Sequence, residues 1–195
     1  MGVDVKKIAL IIFPILLLSI AFGYVIPKTK ELQDKSRYEF ELNSFDGKVK
    51  LSDFRGKVVA IYFGYTYCPD ICPTSLTILS QALKELSTNE LKDVQPLFIS
   101  VDPDRDGLKH LKKYSKYFHS KLIGLTSDNK TIKKITDNYR TKYEKVDLNS
   151  SSIGYSIAHT SYIYILDRDG EFNSVIQPST PNKLAKKIKK AILKD

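Results

Sequence analysis

The chain has 195 residues, a length that suits one globular domain with short appendages. Its hydrophobic fraction of 42% and aromatic fraction of 11% are ample for a packed core, and the sequence contains no low-complexity segment or internal repeat. The net charge of +9 raises the question of nucleic-acid binding. The lysines are scattered except near the C-terminus, however, so we expect no nucleic-acid partner.

The N-terminal segment has the composition of a membrane anchor. Lys6 and Lys7 precede an uncharged stretch, residues 8–26, whose nineteen residues are close to the number needed to cross a bilayer. The two lysines favour a cytoplasmic N-terminus, which places the rest of the chain in the periplasm or an equivalent compartment. The alternative is a cleaved signal peptide, because residues 19–21 form a passable small-residue cleavage site.

The predicted domain organisation follows from this segment. The start of the chain lacks arginine and carries Asp4, so a single-pass protein of a bacterial inner (plasma) membrane is favoured over a mitochondrial one. A polar, lysine-rich stretch separates the anchor from the folded part. We therefore predict a cytoplasmic N-terminus at residues 1–7, a transmembrane anchor at 8–26, a tether at 27–36 and a globular domain at 37–195.

The globular part opens with two kinds of strand pattern. Residues 38–42 alternate like a half-buried strand and residues 43–48 supply a turn, which predicts an N-terminal hairpin. Residues 57–63 form a continuous apolar run, typical of a strand inside a sheet. Leucines spaced three and four residues apart then predict a helix over residues 73–87.

The remainder alternates strands with helices, which predicts parallel pairing. A polar turn ending in Gly170 joins the last two strands as a hairpin. The terminal helix has a basic face, either simply solvated or in weaker contact with anionic lipid or an acidic partner. This order predicts an α/β thioredoxin-like fold with a central mixed sheet flanked by helices. The further predicted elements are strands at 95–101, 122–125, 161–166 and 172–176 and helices at 107–118 and 130–140.

The two cysteines, Cys68 and Cys72, lie where the apolar strand gives way to the first helix. Pro73 disfavours a helical backbone at Cys72 and is itself tolerated in a first turn, so we predict the pair on a loop entering the helix. The helix N-terminus favours negative charge, so we expect Cys72 in particular, together with Cys68, to ionise more readily than a free thiol. Metal binding, disulfide exchange and a pair of inert buried cysteines all remain open.

A histidine is placed to join the cysteines. His159 lies just before the predicted 161–166 strand, and sites in open α/β sheets gather at the carboxyl ends of strands. His110 and His119, on a predicted helix and at its end, are expected to be surface residues. The aromatic side chains expected to pack around the site are Tyr62, Tyr65 and Tyr67.

The residues around the cysteine pair also carry a family resemblance. Residues 62–73, with the sequence YFGYTYCPDICP, resemble the signature of the SCO/SenC family, membrane-anchored copper chaperones used in assembling cytochrome c oxidase. Further similarity extends over residues 97–106, with the sequence LFISVDPDRD, over residues 122–126, and over residues 159–160 with the strand beyond. The resemblance covers most of the globular part.

The resemblance implies a copper site and a delivery function. It implies that Cys68, Cys72 and His159 bind copper, as Cu(I) or Cu(II), and that the domain hands the metal to the dinuclear copper centre of an oxidase subunit. Other copper chaperones and thioredoxin-like reductants are further candidate partners. The donor chemistry agrees, since sulfur favours Cu(I) and imidazole suits either oxidation state. Zinc competes less well, because a structural zinc site usually closes with four protein ligands.

One position departs from the family pattern. Many relatives have an acidic residue immediately before this histidine, whereas this chain has Ala158. A carboxylate there could orient the imidazole or offset the charge of copper, so its absence could change affinity or redox behaviour. Asp70 and Asp102 are candidates to compensate, although a loop or turn role suits each of them better.

Other functions would use the same cysteines. The main alternative is a thiol-disulfide oxidoreductase that reduces the oxidase copper-site cysteines, with Cys68 and Cys72 as attacking and resolving thiols. A peroxidase of the peroxiredoxin kind is disfavoured, because that family's threonine lies three residues before its reactive cysteine, whereas three residues after Thr66 is Pro69. An interaction module without metal or redox chemistry is least favoured.

Overall fold

The computed structural model describes residues 37–148 and 153–193. Contacts divide the chain into two units, Met1–Arg37 and Tyr38–Asp195. The predicted anchor at 8–26 and tether at 27–36 lie outside the described residues. Within the described ranges, no helix is both long and apolar enough to cross a membrane.

Strands and short helices make up the second unit. The strands in the described residues are β1 (Glu41–Ser44), β2 (Gly47–Lys50), β3 (Val58–Gly64), β4 (Val94–Ser100), β5 (Ile123–Leu125), β6 (Tyr143–Asp147), β7 (Tyr155–His159), β8 (Ile163–Leu166) and β9 (Phe172–Ile176). A 3-10 helix spans Leu51–Phe54, and the α-helices are α1 (Ile71–Lys84), α2 (Thr88–Lys92), α3 (Leu108–Phe118), α4 (Asn129–Asn138) and α5 (Pro181–Ile192).

Five strands form the central sheet in the order β5-β4-β3-β8-β9. The first three are mutually parallel, whereas β8 runs antiparallel to β3 and β9 runs antiparallel to β8. Every residue of β3 and β4 is buried, as expected for strands covered on both faces. The predicted thioredoxin-like fold with a mixed sheet is therefore confirmed, and the cysteines follow the carboxyl end of its central strand.

Helix α1 begins two residues earlier than predicted. Cys72 and Pro73 occupy its second and third positions, where a proline is tolerated because the N–H it lacks would have no partner inside the helix. The predicted end at residue 87 is also wrong. Ser87 instead accepts the backbone N–H of Glu90 and caps the start of α2, so the chain begins a new helix there. Of the leucines that predicted the helix, Leu76, Leu79 and Leu83 are buried in α1, whereas Leu86 is buried beyond its end.

The N-terminal hairpin is present but shifted. Its strands β1 and β2 pair antiparallel, with Leu42 opposite Val49, and residues 38–40 precede the first strand. The turn at residues 45–46 leads into Gly47, whose φ of 128° suits glycine. The hairpin pairs with the end of β5 through Asn43 and Thr126, so it closes one edge of the central sheet.

A second hairpin, β6–β7, was not predicted. It forms its own two-stranded antiparallel sheet, with Tyr143 opposite His159 in the terminal pair. The side chains of β6 are half-buried or exposed throughout, so the sequence carries no buried alternation to indicate a strand. His159 is consequently the last residue of β7, and β8 begins at Ile163.

The remaining elements match their predictions closely. Helices α3 and α4 and strands β4, β5, β8 and β9 fall within two residues of the predicted bounds. In α5, Leu184, Ile188 and Ala191 are buried, and most of its lysines are exposed. The terminal helix therefore packs its apolar face on the core, as expected.

Candidate metal centre

The two cysteines lie on either side of the start of α1. Cys68 is on the loop after β3, and the backbone N–H of Cys72 points at its sulfur, with an N–Sγ distance of 3.4 Å. Both side chains are buried, Cys68 with 8% and Cys72 with 0% of its surface exposed, and neither is in a disulfide. The pair is thus held in place, with Cys68 closer to the surface.

His159 completes a cluster with the cysteines. Its Nε2 lies 3.1 Å from Cys72 Sγ, and the three possible ligand atoms of Cys68, Cys72 and His159 all lie within 4.8 Å of one another. Nδ1 lies 3.2 Å from the carbonyl oxygen of Thr160, which can only accept a hydrogen bond. Nδ1 therefore carries the proton and Nε2 turns its lone pair towards the sulfurs.

The two thiols are inequivalent. Hydrogen bonding from the Cys72 side chain, with a smaller contribution from backbone N–H groups, lowers the pKa of Cys68 to about 3. The same bond to Cys68, together with burial, raises the pKa of Cys72. The expectation that Cys72 ionises more readily than a free thiol is therefore wrong, and it is Cys68 that does so. The helix N–H groups stabilise charge on the sulfur they point at, which is that of Cys68.

Two tyrosines pack against the imidazole of His159. The rings of Tyr62 and Tyr65 meet the His159 ring edge-on, with centroid distances of 6.2 Å and 5.9 Å. Burial, reinforced by the neighbouring Cys72, raises the pKa of Tyr62, so its phenol stays neutral. Tyr67 departs from the expected packing, because 51% of its surface is exposed and its ring lies beside His110.

Gly64 was overlooked in the sequence although its signal was available. A Cβ atom at this position would lie 2.9 Å from Cys72 Sγ and 3.1 Å from the Phe98 ring. The end of β3 therefore passes so close to the cysteine that only glycine fits without displacement. A glycine that ends an otherwise apolar strand, four residues before Cys68, is the kind of position that indicates such an approach.

The position before the histidine faces away from the cluster. Side chains alternate along β7, so Ala158 and His159 point to opposite faces, and Ala158 is exposed. The imidazole is oriented by the Thr160 carbonyl, and neither candidate acid substitutes for the missing carboxylate. Asp70 is the exposed N-terminal flank of α1, and Asp102 is buried in an ion pair with Arg105.

The other histidines lie outside the cluster. His110 is exposed, as expected. His119 is half-buried and accepts the backbone N–H of Lys121 at 3.1 Å, and burial lowers its pKa. His159, in contrast, lines a groove of about 570 Å³ together with Thr141 and Thr160, so the cluster can be approached from its imidazole side.

Comparison with known proteins identifies relatives over most of the chain. A family model for SCO1/SenC matches residues 28–193, a range that includes all three residues of the cluster. An SCO2-like protein of Rickettsia prowazekii is 42% identical over 134 residues, which cover 68% of this chain. The chain spans only about 65% of the length of that relative.

Solved structures give the same result. The structure of Bradyrhizobium japonicum ScoI with copper bound is 37% identical, with a TM-score of 0.70 over 78% of this chain and 97% of that one. Yeast Sco1 with copper bound is 30% identical, with a TM-score of 0.72 over 80% of this chain and 88% of that one. The similarity in fold therefore extends over nearly the whole of both solved proteins.

Proposed function

The chain belongs to the SCO1/SenC family, and from this premise we propose that it is a membrane-anchored copper chaperone for the assembly of cytochrome c oxidase. The globular domain binds copper through Cys68, Cys72 and His159 and delivers it to the dinuclear copper centre of the oxidase. The observation that carries the proposal is the convergence of the three ligand atoms within 4.8 Å of one another.

The donor set suits copper as a cargo. Two sulfurs select a soft ion such as Cu(I), and a neutral imidazole nitrogen also accommodates Cu(II). The tautomer of His159 is already the one that a ligand requires, because the Thr160 carbonyl holds the proton on Nδ1. The chain therefore needs little rearrangement to bind the ion.

Three protein ligands also suit release. A site with three donors leaves a position at which a ligand of the acceptor can bind before the original ligands dissociate. His159 lies at the groove described above and is half-buried, whereas Cys72 is fully buried. We therefore infer that exchange begins on the imidazole side and that Cys72 is the last ligand to dissociate.

Two further features belong to the same proposal. The two solved relatives with copper bound support copper as the metal. Residues 8–26 would anchor the chain in a bacterial inner membrane, with residues 27–36 as a tether and residues 37–195 in the periplasm, because two lysines precede the apolar stretch.

A copper titration of the full-length chain in detergent tests the metal site. Under anaerobic conditions with a competing Cu(I) chelator, the reduced wild type should bind one copper per chain. Cys68→Ser and Cys72→Ser should each lower the affinity by about a hundredfold or more, since each removes a direct ligand, and His159→Ala by about tenfold or more. Wild-type affinity in either cysteine variant would show that copper binds elsewhere.

His110→Ala is the matched control for the histidine. His110 is exposed, lies outside the cluster and belongs to the same residue type. Its replacement should leave both the stoichiometry and the affinity unchanged. An equal loss in the His110 and His159 variants would indicate non-specific binding by surface imidazoles.

The inequivalence of the thiols favours one second function, a thiol-disulfide oxidoreductase that reduces the oxidase copper-site cysteines. The Cys68 thiolate would attack one sulfur of the target disulfide, and the other target sulfur would leave and take up a proton. Cys72 would then lose its proton and attack Cys68 Sγ, which releases the second target thiol and leaves a Cys68–Cys72 disulfide. Two electrons pass to the target, and a thioredoxin-like reductant would restore the pair.

The His159→Ala variant separates the two functions. It should lose copper affinity but still reduce a disulfide-bonded peptide from the copper-bearing oxidase subunit, because the exchange uses only the two sulfurs. Cys68→Ser should abolish both activities. Proportionate loss of copper binding and peptide reduction in His159→Ala would contradict a reductase function that is independent of the metal site.

A further inference from the structure

One segment contacts both elements that carry the cluster. We propose that residues 102–106, Asp-Pro-Asp-Arg-Asp, act as a positioning clamp that fixes the hairpin bearing His159 against the loop bearing Cys68 and Cys72. The inference rests on the proposed copper site. It assigns a role to a segment that is part of the family resemblance but contains none of the proposed copper ligands.

Asp106 holds the cysteine side of the clamp. Its carboxylate is almost fully buried and accepts the backbone N–H of Thr66 at 3.0 Å and the Thr66 hydroxyl at 2.5 Å. A third bond from the Ser100 hydroxyl, also 2.5 Å, ties the same carboxylate to the end of β4. Because Thr66 precedes Cys68 by two residues, these bonds fix the loop from which Cys68 projects.

Asp102 and Arg105 hold the histidine side. The buried Asp102 carboxylate accepts the Tyr155 hydroxyl at 2.7 Å and Arg105 Nε at 2.5 Å. Arg105 Nη1 donates to the Tyr155 carbonyl oxygen at 2.9 Å, and the guanidinium lies over the Tyr155 ring at 3.6 Å. Tyr155 begins β7 and His159 ends it, so these contacts fix one end of the strand that carries the imidazole.

The two sides are joined rigidly. The backbone N–H of Asp106 donates to the Asp102 carbonyl oxygen at 2.9 Å. This bond closes a turn and fixes the positions of the two carboxylates relative to each other. The Arg105 guanidinium also lies 5.0 Å from the Tyr67 ring and 5.7 Å from the Tyr65 ring, both on the cysteine loop. Arg105 is thus in contact with both ligand-bearing elements.

The hairpin needs such a clamp because of how it is attached. Strands β6 and β7 pair only with each other in the described residues and add no strand to the central sheet. Their own ladder fixes their shape but not their distance from the cysteines. That distance depends on side-chain contacts, which include those of residues 102–106 and a bond from Ile157 N–H to the Tyr65 hydroxyl.

The test uses Arg105→Lys in the full-length chain. Lysine keeps the charge but has one donor nitrogen in place of the Nε and Nη1 that bond separately to Asp102 and to the Tyr155 carbonyl. In the Cu(II) complex we expect the sulfur-to-copper charge-transfer absorption to remain. The imidazole nitrogen coupling in the electron paramagnetic resonance spectrum should be lost from at least half of the copper, and the copper affinity should fall about tenfold.

Asp106→Asn should perturb the opposite side. The amide side chain of this variant cannot accept all three bonds that the carboxylate accepts, so the sulfur charge-transfer band should shift or weaken while the nitrogen coupling stays. The matched control is Asp93→Asn, which breaks the partly exposed Arg168–Asp93 ion pair away from the cluster. This control should leave both spectra unchanged.

The contrast between variants decides the inference. Wild-type spectra in Arg105→Lys, or parallel loss of the sulfur and nitrogen signals in both clamp variants, would overturn it. Where Arg105→Lys fails to fold, Tyr155→Phe provides a milder change that removes only the hydroxyl bond to Asp102. Here too the nitrogen coupling should weaken while the sulfur band remains, and an unchanged spectrum would contradict the clamp.

A metal-free measurement keeps the inference separate from the proposed function. The ¹⁵N resonance of His159 Nε2 in the reduced protein reports its contact with Cys72. Arg105→Lys should shift it towards the value of a solvent-exposed imidazole, and Asp93→Asn should not. If the wild type bound no copper but the two variants showed this pattern of shifts, the proposed chaperone function would be wrong and the inference of a clamp would still be supported. An unshifted resonance in Arg105→Lys would overturn the clamp even with normal copper binding.

Discussion

The Tyr65 hydroxyl accepts the backbone N–H of Ile157 at 3.2 Å and lies 3.1 Å from the Ser156 hydroxyl. Tyr65 is on the loop before Cys68, and Ile157 lies within β7, two residues before His159. The bond therefore links the two ligand-bearing elements directly.

Tyr65→Phe removes this link with little change in shape. The buried Ile157 N–H would lose its partner, so we expect the free energy of unfolding to fall by about 1–3 kcal/mol. Urea denaturation of the metal-free protein measures this change. Tyr67→Phe is the control, because the exposed Tyr67 should tolerate loss of its hydroxyl. Equal stability of the Tyr65 variant and wild type would show that the bond contributes nothing.

Gly64→Ala should disturb the cysteine that it contacts. The new Cβ would lie 2.9 Å from Cys72 Sγ, within a wall that includes the Phe98 ring. Overpacking of this kind typically costs about 1–3 kcal/mol. We expect a lower unfolding free energy together with weaker Cu(I) binding, because the displaced sulfur is a proposed ligand.

Gly107→Ala is the matched control for this change. Gly107 has an ordinary negative φ, and a Cβ there would meet no atom within 4 Å. It is the N-cap residue of α3, where glycine is preferred to alanine, so the change should lower the unfolding free energy by up to about 1 kcal/mol. Copper affinity should stay at the wild-type value. A Gly64 variant that bound copper as tightly as the Gly107 variant would contradict the close approach.

The central sheet could be predicted because its signals are local. The apolar run of β3 and the leucine spacing of α1 each reflect burial of the segment's own side chains. Errors at the ends of α1 came from competing local effects. The first turn accepts Pro73, and the capping residue Ser87 starts a separate helix.

The remainder of the site depends on contacts between distant parts of the chain. The side chains of β6 are largely exposed, so its strand character comes from pairing with β7 and leaves no pattern in the sequence. The order of ionisation of the thiols depends on the hydrogen bond between their side chains and on which sulfur accepts the backbone N–H of Cys72. The bonds from Arg105 to Tyr155 join residues fifty positions apart. The sequence alone made the two cysteines and His159 candidates, and the family resemblance supplied their assignment as one copper site.

Thiol reactivity should distinguish the two cysteines. Since the pKa of Cys68 is lowered to about 3 and that of Cys72 is raised, the reduced metal-free protein should carry its thiolate on Cys68 throughout the neutral range. Iodoacetamide should therefore label Cys68 first. The rate of Cys68 labelling should stay nearly constant between about pH 8 and pH 5, whereas the labelling of an ordinary thiol slows about tenfold for each unit of decrease in pH in this range.

Peptide mapping by mass spectrometry locates the label, and urea-unfolded protein supplies the ordinary thiol rate. Cys72→Ala should raise the pKa of Cys68, because it removes the hydrogen bond that contributes most to lowering it. Preferential labelling of Cys72, or a Cys68 rate that falls with pH as in the unfolded protein, would contradict this order of ionisation.

Copper affinity should depend on pH through the other thiol. The raised pKa of Cys72 means that this sulfur is protonated at neutral pH, so binding of Cu(I) must displace its proton. Below that pKa, each unit of decrease in pH should weaken the apparent affinity by about tenfold, because one proton competes with the metal. Cu(I) competition titrations of the reduced chain at pH 8, 7 and 6 measure the slope. Cys72→Ser removes the titrating thiol, so the copper affinity of this variant should depend less steeply on pH. A wild-type affinity that stays constant across this range would show that copper does not displace the proton of Cys72 and that Cys72 is not a ligand.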